Sequence, residues 1–477
     1  MARPPSTRKR FHRSSQKQRP PNLWGKDVLV VERMSQEGRG VAKRAGKIVF
    51  ISGALAGEQV RVQCTAVKKD FDEAEMIELD ADSTPSPQRV QPECPVFDDC
   101  GGCSLQHWAL AAQQQHKETN LLSMLRAVAP DLELDPPITS PPRNFRHRLR
   151  LMVTRNSDKS YSLGLRQRRS HDAISLQHCM VSNPAVNALL QDLPGLLTRA
   201  PDLQGLREIE IDADSNNQLG LCFYFAAHPG ERMLAGLRTL ILSGPVIALR
   251  VRLNTQRQSR TDTPYDEHSS THRSPWQELF AEGELCLRLA VPLDQGGNLQ
   301  DELRLHYLPG DFTQTHWEVN AALVARALDW LRPGSDENAL DLFCGIGNFS
   351  LPLARRTKSV VALEGDRTMA LRVSSNAQRN GMANIRAKTL NLLADEIELP
   401  AAEIAIVDPP RAGAQAACEA LARSTVRRLV YVSCHPATLA RDARILQRGG
   451  LCLSRAAAVD MFPHTGHSEA IALFTRK

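Results

Sequence analysis

The run Asn338-Ala339-Leu340-Asp341-Leu342-Phe343, followed by Cys344-Gly345-Ile346-Gly347-Asn348, leaves this chain few ways to fold. An apolar strand feeding a glycine turn and then the helical pattern Phe349-Ser350-Leu351-Pro352-Leu353-Ala354 is the opening of a nucleotide-type α/β unit. The glycines let a ligand approach the backbone closely at a helix N-terminus. Strand and helix patterns alternate from Asp311 onward, which implies a parallel sheet covered on both faces. Glu364 ends the next apolar run, Val360–Leu363, where an acid can accept hydrogen bonds from ribose hydroxyls. Only one Gly-x-Gly is present, without the third glycine of pyrophosphate binders. A cofactor lacking a pyrophosphate fits better than NAD, and S-adenosylmethionine is the obvious one.

A lone thiol lies further along the same α/β segment. Cys434 follows the strand-like Leu429-Val430-Tyr431-Val432, and Asp408-Pro409-Pro410-Arg411 lies upstream of it. A free cysteine titrates near 8.5, so Cys434 needs a lowered pKa or a proton acceptor to act as a nucleophile. Uracil C5 is a weak nucleophile toward a methyl sulfonium. Addition of a thiolate at C6 makes C5 an enolate carbon able to take the methyl group, and a base must then remove the C5 proton. The stretch Asp460-Met461-Phe462-Pro463-His464-Thr465-Gly466-His467-Ser468-Glu469 is rich in candidate bases.

A second cysteine pattern, Cys94-x5-Cys100-Gly101-Gly102-Cys103, has metal-type spacing. The two glycines allow the backbone to wrap three thiolates around one inorganic centre. Cys179 is the best candidate for a fourth ligand. Zinc and an iron–sulfur cluster both accept such a set, and spacing alone does not separate them. A Cys-x3-Cys-x2-Cys run is absent, so the centre reads as structural and not as a radical generator.

At 477 residues the chain has room for about three domains, and its 42% hydrophobic content supports real cores. No apolar run approaches the ~20 residues of a membrane helix, and the basic start has no apolar core of a secretory signal. Reduced cytosolic thiols are the default for eleven cysteines in a chain of this length. Residues 1–21 hold seven basic side chains and no acid, a tail expected to be disordered and to attract polyanions. Short strand patterns over 22–81, with Lys43, Arg44, Lys47, Lys68 and Lys69, read as a small nucleic-acid-binding β-barrel. Leu110, Leu121, Leu122 and Leu125 mark one apolar stripe of a helix over about 110–127. Arg143, Arg146, His147, Arg148 and Arg150 alternate with Phe145, Leu149 and Leu151, followed by Arg166, Arg168 and Arg169, and suit phosphate contacts to folded RNA. Residues 254–276 are polar and read as a mobile loop.

Taken together, Cys94-x5-Cys100-x2-Cys103, Asp341–Phe349, Tyr431–Cys434, Ala437–Asp442 and Met461–His467 resemble the RNA uracil-C5 methyltransferase family. The resemblance is strongest to the branch that modifies 23S ribosomal RNA and carries a TRAM barrel and a [4Fe-4S] cluster. Glu37-Gly38-Arg39-Gly40 and Gly53–Glu58 carry the likeness to the TRAM domain. The resemblance implies a multidomain chain: a basic tail at 1–21, a TRAM β-barrel at 22–81, a central mainly-β α+β domain with the cluster at 82–306, and a Rossmann-like α/β methyltransferase domain at 307–477. It implies Cys434 as nucleophile and Glu469 as general base. Gln314, Phe343, Asn348, Glu364, Asn391 and Asp408 would line the S-adenosylmethionine site, and Cys94, Cys100, Cys103 and Cys179 would ligate the cluster. The implied enzyme is cytoplasmic, needs no obligate protein partner, and methylates a flipped-out uridine in protein-free or early-assembly 23S rRNA. The same reaction on tRNA, and a non-catalytic ribosome assembly factor, are the competing readings. Three positions depart from the family pattern: His316 and His435 stand where asparagine is usual, and Pro410 replaces an alanine.

Overall fold

The computed structural model describes residues 24, 26–170, 172–200, 203–242, 245–254, 276–292 and 300–476. The expected tail at 1–21 and nearly all of the expected loop at 254–276 lie outside these residues. The chain divides into two compact units, one ending at Arg89 and one beginning at Val90.

The first unit is a six-stranded sheet of β1 (Lys26–Val30), β2 (Arg33–Met34), β3 (Gly40–Arg44), β4 (Lys47–Ser52), β5 (Gln59–Val67) and β6 (Phe71–Leu79), ordered β1-β5-β6-β4-β3-β2. Alternation builds it: Val60, Val62 and Cys64 of β5 point inward at every second position and meet Val49, Ile51 and Ala74. Past β1, the Glu32 N–H donates to the Val41 carbonyl at 2.8 Å and curls the sheet toward β3. Lys47, one of the expected phosphate contacts, is committed to Asp72 at 2.6 Å.

The second unit begins with α1 (Leu110–Leu125) and then forms β7 (Arg148–Arg155), β8 (Tyr161–Arg166), β9 (Ala173–Ser175), α2 (Pro184–Arg199), β10 (Leu206–Ala213), β11 (Leu219–Phe225), α3 (Glu231–Leu242), β12 (Val246–Asn254) and β13 (Trp276–Glu282). Strands β7 to β13 make one seven-stranded sheet, ordered β13-β12-β11-β10-β7-β8-β9, whose Leu149, Leu151, Ile209, Ile211 and Phe223 form a core with Leu189, Leu190, Leu193 and Leu197 of α2. The hairpin of β14 (Leu285–Pro292) and β15 (Gln300–Tyr307) follows. Then come α4 (Trp317–Leu331), β16 (Asn338–Leu342), α5 (Ser350–Ala354), β17 (Ser359–Glu364), α6 (Arg367–Arg379), β18 (Ile385–Thr389), β19 (Ile404–Val407), α7 (Gln415–Arg423), β20 (Arg428–Ser433), α8 (Pro436–Arg448), β21 (Leu451–Val459) and β22 (Glu469–Arg476). This last sheet is ordered β18-β17-β16-β19-β20-β22-β21, parallel except for β22. Each face carries its own apolar core, which is why β19 (Ile404-Ala405-Ile406-Val407) is buried at every position. Strand order reverses between β16 and β19, the place where ligands bind in open α/β sheets.

Two of the arginines expected to grip RNA, Arg148 and Arg150, are turned inward, whereas Arg143, Arg166 and Arg169 are exposed. Arg148 donates to Asp212 at 2.5 Å and to Thr313 at 3.2 Å, and also bonds the Asp311 carbonyl. Arg150 pairs with Glu208 at 2.5 Å and lies over the Tyr224 ring. The alternation was legible, but its polar side faces the acids Glu208, Glu210 and Asp212 of β10, not solvent. Arg148 therefore organises the Leu308–His316 junction. Asp311 is the centre of that junction. It accepts from Arg250 at 2.6 Å, Arg372 at 3.1 Å and the Leu308 N–H at 2.9 Å. Asp311→Ala would leave the buried Arg250 with only the more exposed Glu278 as carboxylate partner, and about 3 kcal/mol of stability should be lost, read as a lower urea midpoint at unchanged slope.

Candidate active site

The glycine turn after β16 is held in an unusual shape. Phe343 has φ 63°, a left-handed conformation that a bulky side chain rarely adopts. It is fixed by its own N–H, which donates to the Leu363 carbonyl at 2.9 Å. Gly347, at φ 100°, has no room for a side chain, since a Cβ would come within 2.5 Å of Leu351. Asn376 of α6 donates to the Ile346 carbonyl at 3.1 Å and clamps the turn from outside.

Every residue expected around the cofactor sits along the carboxyl edge of this sheet. Glu364 accepts the Gly345 N–H at 2.9 Å and the Asp366 N–H at 3.1 Å, so both its oxygens are oriented by backbone. Asn391 lies just past β18, where the Leu390 N–H donates to the Glu364 carbonyl at 2.9 Å. Asp408 follows β19, and Gln314 reaches it from the junction loop, donating at 3.4 Å. Asn348 is less open than expected. Its amide makes a reciprocal pair with Asn320 of α4, at 2.8 and 2.9 Å, a partner that the sequence reading missed. Phe312, between buried Asp311 and Thr313 and two residues before Gln314, is 66% exposed.

Cys434 and Glu469 meet at the same edge. Strands β20 and β22 pair Val432 with Ile471 and Ser433 with Ala470, so one further step sets Cys434 beside Glu469. Cys434 is half-buried and precedes the N-terminus of α8, whose N-cap is His435. Burial, then the charges of Glu469 and Asp408, push its thiol up to about 12, against the pull of Arg411. Glu469 is only 8% exposed, and its Oε2 has no hydrogen-bond partner. Burial first and the Asp408 charge second push its carboxyl up to about 8, while Lys117 and Arg411 oppose this. Burial raises Asp408 to about 7. Burial thus favours the protonated form of both carboxyls, and ionisation of Asp408 raises the cost of ionising Glu469.

The four cysteines of the second pattern line one cavity of about 110 Å³, together with Arg146, Arg150 and His178. Gly101 is needed for the tight wrap, because a Cβ there would lie 2.9 Å from the Arg166 carbonyl. Cys179 is delivered by Asn187 of α2, which accepts the Cys179 N–H at 2.9 Å and donates to its carbonyl at 3.0 Å. Burial raises the thiols of Cys100 and Cys179, and that of Cys103 to about 11, while Arg146 counteracts it at all three. Among the described residues no three His, Cys, Asp or Glu side chains are arranged to hold a metal ion.

The family model "tRNA (Uracil-5-)-methyltransferase" matches residues 298–477. A 23S rRNA (uracil(1939)-C(5))-methyltransferase RlmD of Chromohalobacter salexigens is 37% identical, over 94% of this chain and 89% of the relative. The protein of the same name from Pectobacterium atrosepticum is 36% identical, over 94% and 93%. The chain belongs to the RNA uracil-C5 methyltransferase family. A solved structure, the Pyrococcus abyssi tRNA (uracil-54, C5)-methyltransferase in complex with S-adenosyl-L-homocysteine, aligns with TM-score 0.70 at 21% identity, covering 94% of this chain and 100% of that one. That likeness concerns the fold: a methyltransferase sheet joined to further domains. Among the described residues no helix is long and apolar enough to cross a membrane.

Because Glu469 is near 8 folded against an ordinary 4.5, folding takes up a proton between those values. Its contribution to stability is complete below about 4.5 and is lost as pH rises toward 8, at up to roughly 1.4 kcal/mol per pH unit. Glu469→Gln should therefore gain stability relative to the parent as pH rises from 5 to 8, seen as a widening difference in thermal midpoint. A difference constant with pH would contradict the buried-acid assignment.

Proposed function

We propose that this protein transfers a methyl group from S-adenosylmethionine to C5 of a uridine in 23S rRNA. The observation that carries the chemistry is the adjacency of Cys434 and the unpartnered Glu469 at the sheet edge, beside the glycine turn. The near-full-length likeness to 23S rRNA methyltransferases supports the substrate, and it favours rRNA over tRNA. S-adenosylmethionine supplies the electrophilic methyl, and Phe343, Asn348, Glu364, Asn391, Asp408 and Gln314 line its site. Glu364, already oriented by two backbone N–H groups, suits the ribose hydroxyls.

Cys434 sulfur adds to C6 of the flipped uracil and pushes the ring electrons onto O4. C5 then attacks the sulfonium methyl, and the S–CH3 bond breaks to release S-adenosylhomocysteine. Glu469 takes the C5 proton, the C5–C6 double bond returns, and the S–C6 bond breaks. Flipping the base out of its stack costs a few kcal/mol. A base with a pKa near 8 is well matched to a carbon acid at neutral pH, which a solvated glutamate would not be. The raised Cys434 is the demanding partner. Its thiolate is favoured by the α8 N-terminus and by Arg411, and by protonated neighbouring acids.

Several finer assignments belong to the same reading. Residues 22–81 form the TRAM-type RNA-binding barrel, 82–306 the central domain and 307–477 the methyltransferase domain. Cys94, Cys100, Cys103 and Cys179 hold a [4Fe-4S] cluster with a structural role. What supports this reading is that all four thiols line one cavity, with Arg146 beside them to offset the negative charge of a thiolate-ligated group.

Cys434→Ala should abolish release of tritium from [5-3H]uridine in 23S rRNA, and 5-methyluridine formation by this variant would refute the covalent route. Glu469→Gln should take up the methyl group but stall, leaving methylated RNA bound covalently to the protein on a denaturing gel. For the cluster, anaerobically purified protein should be brown with matching iron and sulfide, and Cys103→Ser should lose both. A colourless protein holding one zinc would overturn the ligand assignment.

A further inference from the structure

Helix α1 lies outside the segment that matches the family model, yet its buried face leads to the catalytic pocket. Two polar side chains lie on that face in register with Leu121 and Leu125: Gln113, 1% exposed, and Lys117, 4% exposed. Lys117 Nζ donates to Asp460 Oδ1 at 2.7 Å and to the Phe462 carbonyl at 3.0 Å. Gln113 accepts the His464 N–H at 3.1 Å and donates to the carbonyls of Leu105, at 2.9 Å, and Trp108, at 2.7 Å. The N–H groups of Ser104 and Leu105 both donate to the His464 carbonyl at 2.9 Å. The Asp460–His464 turn is thus gripped on both sides, with His464 held at φ 63°. Five residues after His464, Glu469 opens β22.

A buried Lys–Asp pair adds little net stability compared with an apolar pair of the same shape. Its position explains it better. Several charges act on Glu469 from the surrounding elements: Asp408 after β19, Arg411 beyond it, Asp460 after β21 and Lys117 from α1, with Cys434 at the end of β20. His316 and His464 also face Asp460, Arg143 faces His464, and burial lowers the pKa of both imidazoles. Lys117 is the cation among these that is itself buried and fixed, whereas Arg411 is exposed and bonded to His467.

We propose that Lys117 is a positioning residue for the catalytic base: it anchors the Asp460–His464 turn that leads to Glu469 and places a buried positive charge on that turn. The inference rests on Glu469 being the base. It assigns a catalytic contribution to a helix outside the methyltransferase sheet, and it accounts for a lysine and a glutamine in what otherwise reads as an apolar stripe.

The test is the pH dependence of kcat at saturating RNA and S-adenosylmethionine. Lys117→Met should move the acidic-limb midpoint up by about one unit, lowering kcat at pH 7 about tenfold, with KM for RNA within threefold of the parent. Asp460→Asn should move the midpoint the other way. The double variant Lys117→Met/Asp460→Asn should return close to the parent, and it keeps the test open if the unpaired Asp460 of the single variant prevents folding. In that case the double variant is compared with Asp460→Asn, and the midpoint must again rise on loss of the lysine. Shifts in the same direction, or losses of kcat that follow thermal midpoint with no movement of the pH profile, would overturn the proposal. If Glu469→Gln itself kept the acidic limb, the base assignment would fail instead.

Discussion

A carboxyl group kept out of water with one oxygen unpartnered is the interaction on which this molecule's chemistry depends. Glu469 could have been solvated at little cost, but β22 runs against its neighbours and starts at the floor of the pocket, so its first side chain is delivered there. Reversal of that one strand brings Cys434 and Glu469 side by side from sequence positions 35 apart. The same burial that raises Glu469 also raises Cys434, so nucleophile and base compete for a single negative charge. The reaction relieves that competition: the sulfur charge moves to the ring, where the sulfonium methyl cancels it. Glu469 is thus ionised when it takes the C5 proton, and the thiolate leaving C6 restores the charge to sulfur.

The rest of the second unit supplies the constraint. Asp311, Arg250, Arg148 and Arg372 form a buried ionic junction from which Gln314 reaches Asp408. On the opposite side, Gln113, Lys117 and the backbone after Cys103 hold the turn that precedes Glu469. The pocket is braced by charges and amides brought in from the β7–β13 side and from α1. Buried polar networks of this kind fix geometry more than they add stability. The cysteine cavity lies one residue from the second brace, since Ser104 and Leu105 follow Cys103 directly. An inorganic group there would fix that stretch of backbone.

Much of this was legible in the sequence. The strand–glycine–helix unit, the acid at the end of β17 and the thiol after β20 are local patterns, and each appears where its pattern puts it. What was not legible follows from partners distant in sequence. The arginines alternating in β7 look like a solvent face until Glu208, Glu210 and Asp212 of β10 are set opposite them. Asn348 reads as a cofactor contact standing alone, and Asn320, the partner that orients its amide, comes from another helix. Lys117 looks like an interruption in an apolar stripe until Asp460, 343 residues away, meets it. Helix and strand periods specify which way a side chain points, but not what waits there.

The central claim is a transient bond between Cys434 sulfur and a pyrimidine carbon. The most direct measurement replaces the target uridine by 5-fluorouridine and maps the denatured product by mass spectrometry. Fluorine at C5 cannot be removed by Glu469, so methyl transfer should leave a stable methylated adduct on the peptide containing Cys434. Full turnover on the unfluorinated RNA, with no adduct at that residue on the fluorinated one, would contradict the account.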